Sequence, residues 1–109
     1  MEDEIRKLVR VLREVATDAG YAIVAEEGAD DIVQHCHQRY ERIYGRLSEL
    51  IPAFKRYVEP LPEDASAASI RIASRDLAYY LVRGQHEPRI YEQSMESVLT
   101  SITQFLDLK

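Results

Sequence analysis

The sequence predicts an all-α fold, a four-helix up-and-down antiparallel bundle, and three observations support this prediction. Apolar residues recur at alternating spacings of three and four, which places them along one side of a helix. Short stretches rich in proline or glycine separate the segments that carry this pattern. No segment shows the two-residue alternation of a strand. At 109 residues the chain has the size of one domain, so residues 1–109 are expected to share a single core.

The first predicted helix spans about residues 2–26. Acidic residues at positions 2–4 precede the basic residues of this segment, which suits the positive end of a helix dipole. Gly28 is expected to end this region, and Asp30 or Asp31 to cap the next helix. The apolar line of the first helix consists of Ile5, Leu8, Leu12, Val15, Ala19 and Ala22.

The second predicted helix contains the only cysteine of the chain, Cys36, within its apolar line. His35 and His37 flank this cysteine and lie roughly 200° apart around a helix. The three side chains therefore cannot close a tetrahedral site on an intact helix, and no metal is expected here. The apolar line consists of Val33, Cys36, Tyr40, Ile43, Leu47, Leu50 and Phe54.

Pro52 interrupts the second helix, and a short extra helix is expected around residues 52–58. Two prolines and three acidic residues in segment 59–64 indicate a connecting loop. A third long helix is predicted at about 65–84, with Asp64 or Ser66 as its cap.

Gly84 is expected to end the third long helix, and Pro88 to begin a fourth that continues to about residue 107. Small residues in the first and third long helices predict a close approach between these two. They are Ala16, Ala19, Gly20 and Ala22 in the first, and Ala65, Ser66, Ala67, Ala68 and Ser69 in the third.

The composition favours a cytoplasmic protein without a membrane segment. One cysteine forms no intramolecular disulfide, and the charged N-terminal residues are unlike a signal peptide. The longest apolar run has six residues, whereas a bilayer-spanning helix needs roughly 20. The formal charge of −5 opposes general attraction to nucleic acid or anionic lipid.

A basic ridge formed by Arg39, Arg42 and Arg46 is the feature that would suit nucleic acid, since tyrosines lie between these arginines. The simpler interpretation is a solvated helix face whose arginines pair with acids on a neighbouring helix. No phosphate-binding loop or nucleophile elbow is present in the sequence. We therefore expect no cofactor and no catalytic activity.

Apolar residues outside the helix lines predict a second buried surface. Tyrosine, the dominant aromatic residue with seven copies, suits an interface because it buries a ring and keeps a hydroxyl in water. This favours a non-catalytic interaction or adaptor protein that forms a homodimer or docks on a protein partner. The candidate interface residues are Val11, Val24, Tyr44, Tyr57, Val58 and Leu61.

The alternative is a signalling or ligand-sensing helical module that uses a titratable histidine, such as a histidine-phosphotransfer-like bundle. The candidates are His35, His37 and His86. Phosphotransfer modules place lysine three and glycine four residues after the histidine. Tyrosine and glutamate follow His37 at these positions, and glutamine and arginine follow His35, so neither matches.

Overall fold

A computed structural model describes residues 1–107 of the chain, and it confirms the all-α class. Four long helices and one short helix are present, with no strand in the described part. The elements are α1 (Glu2–Val24), α2 (Ala29–Leu50), α3 (Phe54–Tyr57), α4 (Ala67–His86), a 3-10 helix (Pro88–Glu92) and α5 (Met95–Asp107).

Local sequence signals account for most helix boundaries. Gly28 has a φ of 74° just before α2, in the left-handed region that glycine adopts without strain. Ile51 is extended, as expected for a residue that precedes proline, and this ends α2. The Ser66 hydroxyl accepts a hydrogen bond of 3.1 Å from the Ser69 N–H. Of the two predicted caps for the third long helix, Ser66 is therefore the one that caps α4.

The prediction of one continuous helix over residues 88–107 is wrong. Pro88 begins a 3-10 segment, Gln93 is extended, and α5 begins only at Met95. The hydroxyl of Ser94 accepts a hydrogen bond from the Ser97 N–H, which provides a new helix start. The break lets the segment fold back on α4, where the Tyr91 hydroxyl donates to the Leu81 carbonyl at 3.1 Å.

Gly84 does not end the third long helix, which continues to His86. Its role is instead to make room, because a methyl group at this buried position would overlap the ring of Tyr91. The Tyr91 ring also packs against Tyr80 with 5.7 Å between centroids, and the Tyr80 hydroxyl donates to the Tyr91 carbonyl. The glycine is therefore required by packing.

Helix α1 packs against both α2 and α4, and most extensively against α4. Its small residues Ala16 and Ala19 are buried, and Ala19 belongs to one cluster with Ile70 of α4. Ion pairs join residues 4 and 46, and residues 18 and 39, so α1 and α2 run antiparallel. The Gln85 side chain donates to the Glu2 carbonyl, and Arg71 lies beside Gly20, so α1 and α4 also run antiparallel.

The buried apolar residues form two clusters that the helix lines of the sequence largely predict. The larger cluster joins α1, α2, α3, α4, the 3-10 helix and, through Val98, α5. The smaller consists of Val15, Ala19, Cys36 and Ile70. Among residues 1–107, no helix is both long and apolar enough to cross a lipid bilayer.

Candidate interaction surface

The candidate interface residues of the sequence lie mostly against the chain's own core. Val58 is 1% exposed and belongs to the larger cluster, against which Val11, Tyr44 and Leu61 are half-buried. The Tyr44 hydroxyl donates to the Val58 carbonyl at 2.6 Å, and its ring packs on Phe54. These contacts hold the segment around α3 against α2.

The other two candidates differ in exposure. Tyr57 is half-buried at the end of α3. Val24 is 75% exposed at the end of α1, where Tyr21 and Ile23 are also exposed. Val24 is therefore the most accessible of the six candidates.

His37 links α2 to the loop that precedes α4. Its Nε2 lies 2.9 Å from the Pro62 carbonyl oxygen, and its Nδ1 lies 3.0 Å from Glu41 Oε1. Both neighbours are hydrogen-bond acceptors, so each contact depends on a proton on the ring nitrogen that faces it. The ring thus has a structural contact at each nitrogen.

His35, Cys36 and His37 point in different directions, as the helical spacing predicts. Cys36 is buried, its thiol donates weakly to the Val15 carbonyl, and burial, together with the charge of Asp18, raises the pKa of the thiol. His35 is exposed and lines an open cavity of about 430 Å³ on the α1–α2 side. His86 is exposed at the end of α4. In residues 1–107, no three histidine, cysteine, aspartate or glutamate side chains are grouped to hold a metal ion.

The basic ridge on α2 is largely neutralised by ion pairs. Arg39 contacts the carboxylates of Glu14 and Asp18, both at 3.0 Å. Arg46 contacts Glu4 and Glu49, both at 2.7 Å, and its hydrogen bond to Glu4 holds the pKa of the Glu4 carboxyl below its usual value. Arg42 is exposed. Arg42 is therefore the one arginine of the ridge without a carboxylate at ion-pair distance in residues 1–107, which leaves little free positive charge for a nucleic acid.

The most distinctive exposed surface lies on α4, outside the interface residues predicted from the sequence. Ile72 is 60% exposed and Tyr79 is 58% exposed, and both follow an inward-facing residue by two positions. Two positions correspond to about 200° around a helix, so they point away from the core. Ile70 and Leu77 are those inward-facing residues, and this spacing is the signal that could have identified the surface.

Three arginines border the same side of α4. Arg71 and Arg75, one helical turn apart, join Arg13 of α1 in lining a groove of about 520 Å³. A neighbouring groove of about 260 Å³ is lined by Arg13, Arg75 and Tyr79. We call the surface formed by Arg13, Arg71, Ile72, Arg75 and Tyr79 the α1–α4 face.

The arginines of the α1–α4 face differ from those of the ridge in their lack of ion pairs. Within residues 1–107, none of the three lies at ion-pair distance from a carboxylate, in contrast to Arg39 and Arg46. Burial raises the pKa of Asp76, and the neighbouring Arg75 partly opposes that shift. Although the chain has a net charge of −5, arginines without ion pairs are therefore grouped beside the exposed ring of Tyr79.

Comparison with protein-family models, curated proteins and solved structures gives no match. The geometry and charge of this chain are therefore the basis for assigning its function.

Proposed function

We propose that the protein is a non-catalytic helical interaction protein that docks an acidic amphipathic helix of a partner on the α1–α4 face. The observation that carries this proposal is the exposed pair Ile72 and Tyr79, bordered by three arginines without carboxylate partners in the described chain. Aromatic residues and arginine are enriched in the energetic centres of protein interfaces.

Charge complementarity favours an acidic partner over a second copy of the chain. A two-fold symmetric dimer through this face would bring the same patch of both copies together. Arg13, Arg71 and Arg75 would then lie close to their own counterparts, and like charges at an interface are unfavourable. A helix with carboxylates one turn apart would pair with them while its apolar side covers Tyr79.

The wider architecture supports a single interaction module. The larger apolar cluster joins elements from α1 to α5, as expected for one domain. Helix α2 runs antiparallel to α1, as the predicted up-and-down bundle requires, but α4 also runs antiparallel to α1 and hence parallel to α2, so the chain departs from strict up-and-down order between α2 and α4. The single cysteine, which can form no disulfide within the chain, supports a cytoplasmic location for it.

A displayed library of random helical peptides, selected on the immobilised full-length protein, tests the proposal. We expect enrichment of peptides with Asp or Glu one turn apart beside Leu or Phe. Tyr79→Ser should weaken their binding at least about tenfold, as loss of a central aromatic anchor does. Tyr21→Ser is the matched control, because Tyr21 is 65% exposed but lines the cavity on the α1–α2 side.

Two results would refute this assignment. Selected peptides that bind Tyr79→Ser as tightly as the original protein would show that the α1–α4 face is not used. A dimer in sedimentation experiments that Tyr79→Ser dissociates would identify the occupant as a second copy, against the acidic partner.

The alternative, a phosphotransfer-like or ligand-sensing module, is supported by His35 and His86, the two exposed imidazoles. Asp18 and Asp31 line the cavity beside His35 and would repel a phosphoryl group. Formation of an acid-labile phosphohistidine on incubation with phosphorylated receiver domains, lost in His35→Gln or His86→Gln, would favour this alternative over docking.

A further inference from the structure

We propose that the groove between α1 and α4 binds a phosphate monoester through Arg13, Arg71 and Arg75. The inference rests on the proposed function in one respect, that a protein partner carries the phosphate. The phosphate site itself does not depend on the proposed function. Docking of an acidic helix requires only carboxylates on the partner, whereas a preference of the groove for phosphate goes beyond that requirement.

The two helices bring the guanidinium groups to opposite walls of one groove. Arg71 lies beside Gly20, since a Cβ built on that glycine would be 3.9 Å from the Arg71 Cδ and Nε atoms. Arg75 lies one turn further along α4 and lines a second groove together with Arg13. Because α1 and α4 run antiparallel, Arg13 and Gly20 of α1 face Arg75 and Arg71 of α4 in that order.

Small residues keep this groove open. Ala16 and Gly20 line it between the arginines, and the space measures about 520 Å³. The remaining lining residue, Thr17, uses its hydroxyl proton for a hydrogen bond of 3.0 Å to the Arg13 carbonyl. The donors available to a bound anion are therefore the guanidinium N–H groups.

The number of arginines favours phosphate over carboxylate. A carboxylate carries one negative charge and is satisfied by a single arginine that donates from two N–H groups. A phosphate monoester carries a charge of about −1.5 to −2 and three strongly accepting oxygens. It can therefore use three guanidiniums that approach from two walls, whereas a single carboxylate would leave arginine charge uncompensated.

Titration of the full-length protein with phenyl phosphate, and separately with benzoate, tests the site. Proton–nitrogen correlation spectra that include the arginine Nε–H signals report which arginines bind. We expect saturable shifts at Arg13, Arg71 and Arg75, and affinity for phenyl phosphate at least about tenfold above that for benzoate, because charge-assisted hydrogen bonds contribute that much each. Added salt should weaken the binding.

Substitutions separate the groove from general charge effects. Arg71→Gln and Arg75→Gln should each weaken phenyl phosphate binding at least about tenfold. Arg42→Gln removes the same charge from an exposed position on α2 and should leave binding unchanged. Gly20→Gln retains all three arginines but fills the groove, so it should also weaken binding. Equal affinity for benzoate, or an equal loss in Arg42→Gln, would overturn the proposal.

Peptides from the docking selection separate this inference from the proposed function. A peptide with phosphoserine at one acidic position should bind at least about tenfold tighter than its glutamate version. If both bind equally and still require Tyr79, the phosphate site is refuted and the docking function stands. If phenyl phosphate binds at the three arginines but no peptide requires Tyr79, the site stands for a free phosphate ester and the docking function is refuted.

Discussion

The substitution Gly84→Ala should destabilise the protein even though it improves helix propensity. An alanine in the middle of an exposed helix is more favourable than glycine by about 1 kcal/mol. At position 84, however, the added methyl group would occupy the space of the Tyr91 ring. Tyr91 belongs to the segment after α4, so either the ring or the whole 3-10 helix must move.

The contacts of Tyr91 set the size of the effect. Displacing the ring would break the hydrogen bond of its hydroxyl to the Leu81 carbonyl, worth about 1 kcal/mol. It would also disturb the aromatic contact with Tyr80, worth about 1 kcal/mol, and expose part of a ring whose burial contributes about 2 kcal/mol. After the gain in helix propensity, a net loss of about 3 kcal/mol is expected.

Urea unfolding followed by far-ultraviolet circular dichroism measures this change. Gly45→Ala is the control, because Gly45 is exposed within α2 and an added Cβ there has no neighbour within 4 Å in the described chain. It should stabilise the protein by about 1 kcal/mol. In a Tyr91→Leu background, Gly84→Ala should lose most of its cost. A Gly84→Ala protein at least as stable as the original would refute the packing argument.

Three further predictions concern buried polar groups. The Ser74 hydroxyl is buried and has no hydrogen-bond partner among residues 1–107, so Ser74→Ala should raise the free energy of unfolding by about 1 kcal/mol, and a loss in the same urea assay would contradict this. Burial raises the pKa of Cys36, so its thiol should react with thiol reagents only as fast as the protein unfolds; rapid labelling of the folded protein would disprove it. Burial raises the pKa values of Tyr80 and Tyr91 from 10 to about 12. Between these pH values the folded state keeps phenol protons that the unfolded state releases. The free energy of unfolding should therefore be unaffected below pH 10 and fall as the pH rises towards 12, less steeply in Tyr80→Phe. Urea midpoints that do not decline over this range would refute the assignment.

The fold class and most helix positions could be predicted because local signals determine them. Apolar spacing identified the inner sides of the long helices, and Ser66 and Pro52 marked boundaries through capping and the restriction that proline places on its predecessor. The break at Gln93 could not be predicted in the same way. It depends on Tyr91 packing next to Gly84, and this contact appears only once the segment folds back on α4.

The candidate interface residues show a related limit of periodicity. Val58 and Tyr44 fall outside the regular apolar lines, which led to the expectation of an interface. Their positions in the structure depend on α3, which turns the chain so that Val58 reaches the core and its carbonyl meets the Tyr44 hydroxyl. Such irregular segments contribute core residues that a rule based on one stripe per helix assigns to the surface.

The difference between paired and free arginines explains why the α1–α4 face was not predicted. Arg39 and Arg46 stand out in the sequence as a ridge, but their partners Glu14 and Glu4 are 25 and 42 residues away. Only the antiparallel packing of α1 on α2 brings these charges together. Glu4, Glu14 and Asp18 of α1 face α2, where they pair with its arginines. They therefore do not reach the side of α1 that faces α4. Arg13 is consequently left to face α4, whose own exposed side adds two further arginines and a tyrosine but no carboxylate at ion-pair distance in the described chain. The free charge of the face thus follows from which helices flank α1, a property of the tertiary arrangement that no local pattern contains.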